Sequence, residues 1–325
     1  TKDDLLPGAV LYFRIYALGM PALGIFNFGN AVLSANGDTK RPLLYLTIAG
    51  ILNVILNLFF VIVCKMAADG VALASVISQY VSAILVVWHM MRLNDACKFY
   101  FQRLRFHGDE VGRILGLGVP AGIQHMIFAI ANLFIQAAVN SFDSTMVSGN
   151  AAAANTDTII YNIMMAFYTA CSTFMGQNWG AGHKKRMMDS YLISLFYAFA
   201  VAAVLGVAFY FAGRPFLYVF TNSADVVEAG MQRMKIMCFS YAISAFMDNT
   251  IAACRGLGRT IVPTVVVIMG SCVFRVIWVY TIFAHYHTIP SLYLLYAFSW
   301  TITAAAEIVY FLHCFRKLRL VPETA

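Results

Sequence analysis

Nine apolar stretches, each about 20 residues long, constrain this chain more than any other feature of it. They run near 10–34, 43–64, 70–91, 114–139, 151–175, 190–212, 234–254, 261–284 and 291–315. A helix of that length crosses the hydrocarbon core of a bilayer, and irregular backbone cannot face lipid. The sequence therefore predicts an all-α membrane protein, a polytopic transmembrane helical bundle. A soluble fold fails on charge. Only 11% of the 325 residues are charged and 61% are hydrophobic, whereas a water-facing domain carries roughly 25% charged residues. The net charge of +7 comes in short basic runs between apolar segments, a pattern of membrane anchoring and not of nucleic-acid binding. The seven cysteines show no metal-ligand spacing and read as free thiols packed as small apolar groups.

The basic residues set an orientation. Lys40 and Arg41; Arg92, Lys98, Arg103, Arg105 and Arg113; Lys184, Lys185 and Arg186; Arg255 and Arg259; and Arg316, Lys317 and Arg319 fall in alternate connections. The intervening turns are poor in them: Asn140-Ser141-Phe142-Asp143-Ser144 and His285-Tyr286-His287-Thr288 carry no Lys or Arg, and the turn after residue 64 has Lys65 alone. The longer connection after residue 212 is mixed, with Arg214, Asp225, Glu228, Arg233 and Lys235. By the positive-inside rule the basic set is cytoplasmic. That places the C-terminus inside a multi-pass protein of the cell membrane.

An internal repeat relates the first and last thirds. Gly37-Asp38-Thr39 and Gly258-Arg259-Thr260 are offset by 258 − 37 = 221 residues, and Pro42 meets Pro263 at the same offset. Glycine ends one helix and proline starts the next, so the turn also has a local reason. Asn27 aligns with Asp248, and both copies run in the same direction, a parallel repeat. Extended to the three central helices, the repeat calls for roughly 110 further residues upstream. The expectation is nine helices of twelve, in two pseudo-symmetric six-helix lobes. Residues 1–95 would belong to the N-terminal lobe, 96–113 to a cytoplasmic linker and 114–320 to the C-terminal lobe.

Four segments resemble a known family. Gly176-Gln177-Asn178-Trp179-Gly180-Ala181-Gly182 with Arg186 is similar to the G-Q-x-x-G-A-G-x-x-x-R loop of multidrug and toxic compound extrusion (MATE) transporters. Arg255-Gly256-Leu257-Gly258-Arg259-Thr260 with Pro263 resembles that family's R-G-x-G-x-T-x-x-P turn, and Ala35 to Pro42 its first-lobe equivalent. Gly116 to Gly122 resembles the start of the second lobe. The resemblance implies two lobes around a central cavity and alternating access. It implies export of organic cations and related drugs in exchange for H+ or Na+, with no other cofactor and no enzymatic activity. The implied partners are small-molecule cations and membrane lipid, with a monomer when full length. The family often carries an acid where this chain has Phe128, and another near Ser244; Asp248 lies one turn beyond.

Ionisable groups in apolar spans cost about 3 kcal/mol each, which makes them functional candidates. Asp157, Asp248 and Glu307 are the acids, and Arg275 reads as the one deep base. Each could instead serve a structural ion pair, Asp248 with Arg275 or Lys235. Gln124, Phe128, Asn132 and Gln136 recur every four residues on one helical face. Asn155, Thr158, Asn162 and Thr169 form a second polar stripe. The two stripes suggest a water-accessible cavity, with interhelical hydrogen bonding as the alternative. Tyr161, Phe167, Tyr168 and Phe128 could stack on flat cargo, with Met164 and Met165 as adaptable surface. The candidate ion-coupling and substrate-binding residues are thus Asp248, Asp157, Gln124, Asn132, Gln136, Asn155, Tyr161 and Asn162, with Asn27 as the repeat partner of Asp248. A flippase for lipid or lipid-linked sugar is the alternative. Its cavity should be strongly cationic, and three acids against one deep base favour cationic cargo instead. An intramembrane enzyme would need a catalytic pair at depth, and a channel would need subunits around a pore.

Overall fold

The computed structural model describes residues 6–94 and 97–318. Arg319, counted above in the basic tail, lies outside the described residues. Ten helices follow in order: α1 (Leu6–Ala17), α2 (Met20–Ala35), α3 (Lys40–Leu58, continued by a π-turn over Phe59–Val63), α4 (Ala68–Arg92), α5 (Gly108–Val139), α6 (Ser144–Gly180), α7 (Lys184–Leu217), α8 (Ala224–Gly256), α9 (Ile261–Tyr286) and α10 (Ile289–Lys317). Among the described residues, eight of these are long and apolar enough to cross a membrane, and α1 with α2, bent by 42° at the break between them, pass the same test only as a pair.

That bend corrects the first expected span, which the sequence suggested as one straight helix. Pro21 has no N–H to return to the carbonyl of Ala17, so the helix breaks over Leu18 and Gly19. Tyr80 on α4 donates to the freed carbonyl oxygen of Leu18 at 3.1 Å. The other helices run past their expected ends and shorten the connections. Lys184-Lys185-Arg186 form the first turn of α7, and Arg113 lies inside α5. Arg214 lies in α7, while Arg233 and Lys235 lie well inside α8. Periodicity misplaced these bases because a charged side chain at a helix end looks like a loop residue.

The chain divides into two compact units, Thr1–Phe106 and His107–Ala325. The division falls within the expected 96–113 linker, whose last residues are already helical. In the first unit, α4 buries a small-residue face (Ala72, Ala74, Ser78, Ser82, Ala83) against α1, α2 and α3. In the second, α8 is the central helix, packed by α6, α7 and α10. Glycine permits those approaches. A Cβ on Gly206 of α7 would sit 2.2 Å from the carbonyl oxygen of Cys238, and one on Gly149 of α6 would sit 2.6 Å from the backbone nitrogen of Gly230. Small residues let helix backbones meet where lipid supplies no hydrophobic drive between helices.

The repeated turn is built alike in both units. Gly37 and Gly258 adopt φ of +87° and +69°. The next amides, Asp38 and Arg259, reach back to the carbonyl oxygens of Leu33 and Cys254, each at 2.9 Å. This left-handed helix cap suits glycine because a Cβ there is strained. Gly182 (φ +75°) caps α6 the same way, with His183 bonded to Asn178 at 2.9 Å. Of the seven cysteines, Cys171, Cys238, Cys254 and Cys272 are buried.

Candidate functional site

The second unit encloses a cavity of about 660 Å³, lined from α5, α6, α8, α9 and α10. Helix α5 presents Gln124, Phe128, Asn132 and Gln136 to it, one side chain per turn. Helix α6 presents Ala154, Asp157, Thr158, Tyr161, Met164, Met165 and Tyr168. Helix α8 contributes Arg233, Met237, Tyr241, Ser244, Asp248 and Arg255, again at helical spacing. Tyr293, Tyr296 and Trp300 of α10 close the wall.

Six of the nine sequence candidates therefore share one cavity, Gln124, Asn132, Gln136, Asp157, Tyr161 and Asp248, and Phe128 lines it beside them. Asn155 and Asn162 do not. Of the α6 polar stripe, Thr158 lines the cavity, whereas Asn155, Asn162 and Thr169 do not. Asn155 bonds back to the carbonyl oxygen of Ala152 at 3.0 Å, and Thr169 to that of Met165 at 2.9 Å. Asn162 is exposed away from the cavity. Ser and Thr in membrane helices often satisfy themselves on their own backbone, so a polar stripe need not mark a polar cavity. Asn27 is exposed in the first unit. Phe167 packs in the apolar core behind the wall.

Three charge networks line the cavity. In the first, Arg233 donates to Asp157, which also accepts from Tyr241. Arg233 donates further to the carbonyl oxygen of Asn150 at 3.0 Å, and Tyr293 donates to the Asn150 side chain at 2.6 Å. Asp157 thus serves the ion pair that was the alternative to a coupling role. Its partner was misread as a loop base. Removing one member of such a pair leaves a charge stranded in a low-dielectric site.

In the second network, Arg255 donates to the Tyr168 hydroxyl and, at 3.0 Å, to Oε1 of Gln124, which also accepts from Thr264 at 3.3 Å. Arg255 had been counted among the topology-setting bases of a turn. In the third, Arg275 donates to Ser299 at 3.0 Å. Its guanidinium lies 4.5 Å from the ring centre of Tyr296, 5.3 Å from Phe128 and 5.7 Å from Trp300. Two π-turns, Ile268–Val273 and Val279–Phe283, flank it in α9, and the arginine lines the cavity. Such single-turn widenings cluster at functional sites.

Asp248 stands apart from these networks. Among the described residues no basic group lies within 4.0 Å of its carboxylate, so the suggested pairs with Arg275 and Lys235 do not form. Lys235 faces Glu228 instead. Ser244 also lines the cavity, whereas Ser240, one turn before it, donates to the carbonyl oxygen of Ile236 at 2.9 Å. Glu307 is fully buried on α10, away from the cavity, and neither of its oxygens has a hydrogen-bond partner.

The cavity balance is therefore three arginines to two acids, the reverse of the balance read from the spans. Spacing on α8 held the missing signal. Arg233, Met237, Tyr241, Ser244, Asp248 and Arg255 follow one another at intervals of three, four or seven residues, which is one helix face.

Sequence comparison relates this chain to known families. The MatE family model matches residues 120–281, and the model of the lipid II flippase MurJ matches residues 8–127. A probable multidrug resistance protein of Bacillus subtilis, YpnP, is 30% identical over 241 residues, covering 74% of this chain and 54% of the relative. A FAD transporter of Shewanella oneidensis is 25% identical over 237 residues, covering 70% and 51%. The chain thus spans about half the length of the curated relatives it matches. Among solved structures, the outward-facing form of a MATE transporter of the MOP superfamily superposes with a TM-score of 0.89 at 19% identity, covering 97% of this chain and 71% of that one. The fold is that of the two-lobe helical transporters, a class of transport proteins and not of enzymes. In its motifs, its family-model match over residues 120–281 and its fold, this multi-pass membrane chain is similar to the multidrug and toxic compound extrusion (MATE) family.

Proposed function

We propose that the protein is a secondary active exporter, moving small amphipathic aromatic molecules by alternating access in exchange for H+ or Na+. The observation that carries this reading is a single cavity that joins an unpaired carboxylate, Asp248, to a wall of aromatic faces at membrane depth. Binding a proton or sodium ion to Asp248 removes the cost of its charge, and that free-energy change biases one conformation over another. Organic cations are the cargo that the family resemblance implies, and Asp248 is the carboxylate available to them. The protein would act in the cell membrane as a monomer, with its basic connections and C-terminus in the cytoplasm.

The test is movement of aromatic dyes, ethidium (cationic) and fluorescein (anionic), in proteoliposomes of the full-length protein under imposed pH or sodium gradients. Gradient-dependent movement of either dye is expected. Indifference of both dyes to both gradients would rule the reading out. A second reading, flipping of a phosphate-bearing lipid, draws on the MurJ match over residues 8–127 and on the arginine-rich cavity. The FAD transporter relative, by its name, carries a phosphate-bearing aromatic.

A further inference from the structure

We propose that the cavity selects cargo bearing an anionic group on a flat aromatic frame, with Arg275 receiving the anion. The inference rests on the transport reading above and narrows its cargo class.

The argument is one of unmatched charge. Arg233 has its carboxylate in Asp157. Arg255 has only neutral partners, Tyr168 and Gln124. Arg275 has one hydroxyl, Ser299, and three aromatic rings. Its Nη2 is buried without a hydrogen-bond partner, although the residue lines the cavity and is 2% exposed overall. No carboxylate lies within 4.0 Å of it among the described residues. A buried guanidinium with a donor left over is a site built for an acceptor. Its planar fork matches a carboxylate or phosphate, and charge-assisted bonds of that kind are the strong ones.

The rings around Arg275 give the second half of the preference. Phe128, Tyr296 and Trp300 hold the guanidinium, and Tyr161 and Tyr168 line the facing wall. A flat aromatic frame can stack there while its anionic substituent meets Nη2. Arg275 is also specific to this unit: its repeat position is Val54 in α3, so the shared scaffold does not require a base there. Asp248 is the remaining cavity acid without a paired base, and its charge opposes an incoming anion. Removing the Asp248 charge therefore strengthens anion binding.

Fluorescence anisotropy on the purified full-length protein, with fluorescein and ethidium as probes, tests the inference. Fluorescein is expected to bind and to weaken about tenfold in Arg275→Gln, as loss of a charge-assisted bond would give. Arg275→Lys should recover part of the loss, and ethidium should hold or tighten in Arg275→Gln. Asp248→Asn should tighten fluorescein severalfold, and this arm decides if Arg275→Gln fails to fold. Unchanged fluorescein affinity in a folded Arg275→Gln or in Asp248→Asn would overturn the proposal. So would displacement of fluorescein by phosphatidylglycerol but not by soluble aromatic carboxylates, which would assign the site to a lipid headgroup. Gradient-driven movement of ethidium with no binding of fluorescein would refute the anionic cargo while leaving the transport reading standing.

Discussion

Helices α2, α3 and α4 of the first unit and α8, α9 and α10 of the second keep the same register. Ala35 and Gly256 end the first helix of each set, Lys40 and Ile261 start the second, and Ala68 and Ile289 start the third, every pair 221 residues apart. Even a late π-turn recurs, over Phe59–Val63 and Val279–Phe283. The polar chemistry does not recur. Asp248, Arg255, Arg275 and Glu307 have Asn27, Ser34, Val54 and Val86 at their repeat positions. The groove in the first unit, about 380 Å³ beside Ile25, Ile84 and Trp88, has a lining free of acids and bases, whereas the cavity in the second carries five charged side chains. A repeat thus preserves caps and the register of the turns while one copy takes on the charges. The second π-turn, Ile268–Val273, has no counterpart in α3, where residues 47–52 are regular helix, and it precedes the arginine that the first copy lacks.

The comparison can be broken most forcefully through packing. Gly206→Ala pushes a Cβ into the carbonyl oxygen of Cys238, and the two backbones must separate. A loss of about 3 kcal/mol is expected, read as a lower midpoint of thermal unfolding in detergent. Gly50→Ala in the first unit, where a Cβ meets nothing within 4 Å, should leave that midpoint in place. Equal effects would mean that the two units are not packed differently.

Breaking the Arg233–Asp157 pair comes next. Arg233→Met strands a carboxylate, and Asp157→Asn strands a guanidinium whose side chain is 6% exposed. Because Asp157 is 32% exposed, the full cost of a buried pair does not apply, and about 2 kcal/mol is expected for each. The double variant, Arg233→Met with Asp157→Asn, should cost less than the sum. Additive losses would show that the two charges do not stabilise each other.

The smallest effect sharpens the likeness in place of the difference. Gly37→Ala and Gly258→Ala each force a Cβ into the left-handed region, for about 1 kcal/mol apiece. Similar midpoint shifts from both are expected. A loss at one glycine only would separate the two turns that the repeat treats as one.

The scaffold was legible because its determinants are local. Long apolar runs, and glycine followed by proline at the turns, sit next to one another in sequence, so the span count and the repeat could be read directly. The α5 stripe of Gln124, Phe128, Asn132 and Gln136 was legible for the same reason. The charge balance of the cavity was not. Arg233 and Arg255 border the apolar run expected near 234–254, where a base usually marks a loop, and only the overrun of α8 past both and the packing of α6 and α10 reveal them as cavity residues. The break between α1 and α2 was visible in Gly19 and Pro21 but hidden by the continuous apolar run around them. Arg275 was found as a deep base, while its ring cage and its lack of an acid partner depend on helices far apart in sequence.

The central claim is that charge confined to one copy of the repeat does the coupling. Dye movement in proteoliposomes of the full-length protein, compared under imposed pH and sodium gradients for the unaltered chain, Asp248→Asn and Asn27→Asp, tests it most directly. Asp248→Asn keeps the side chain's shape and removes its titratable charge. The account predicts that this variant still inserts and binds dye, but that its gradient-driven movement falls at least about tenfold. It predicts a near-normal rate for Asn27→Asp. Normal gradient-driven movement by Asp248→Asn, with an unchanged pH dependence, would contradict it.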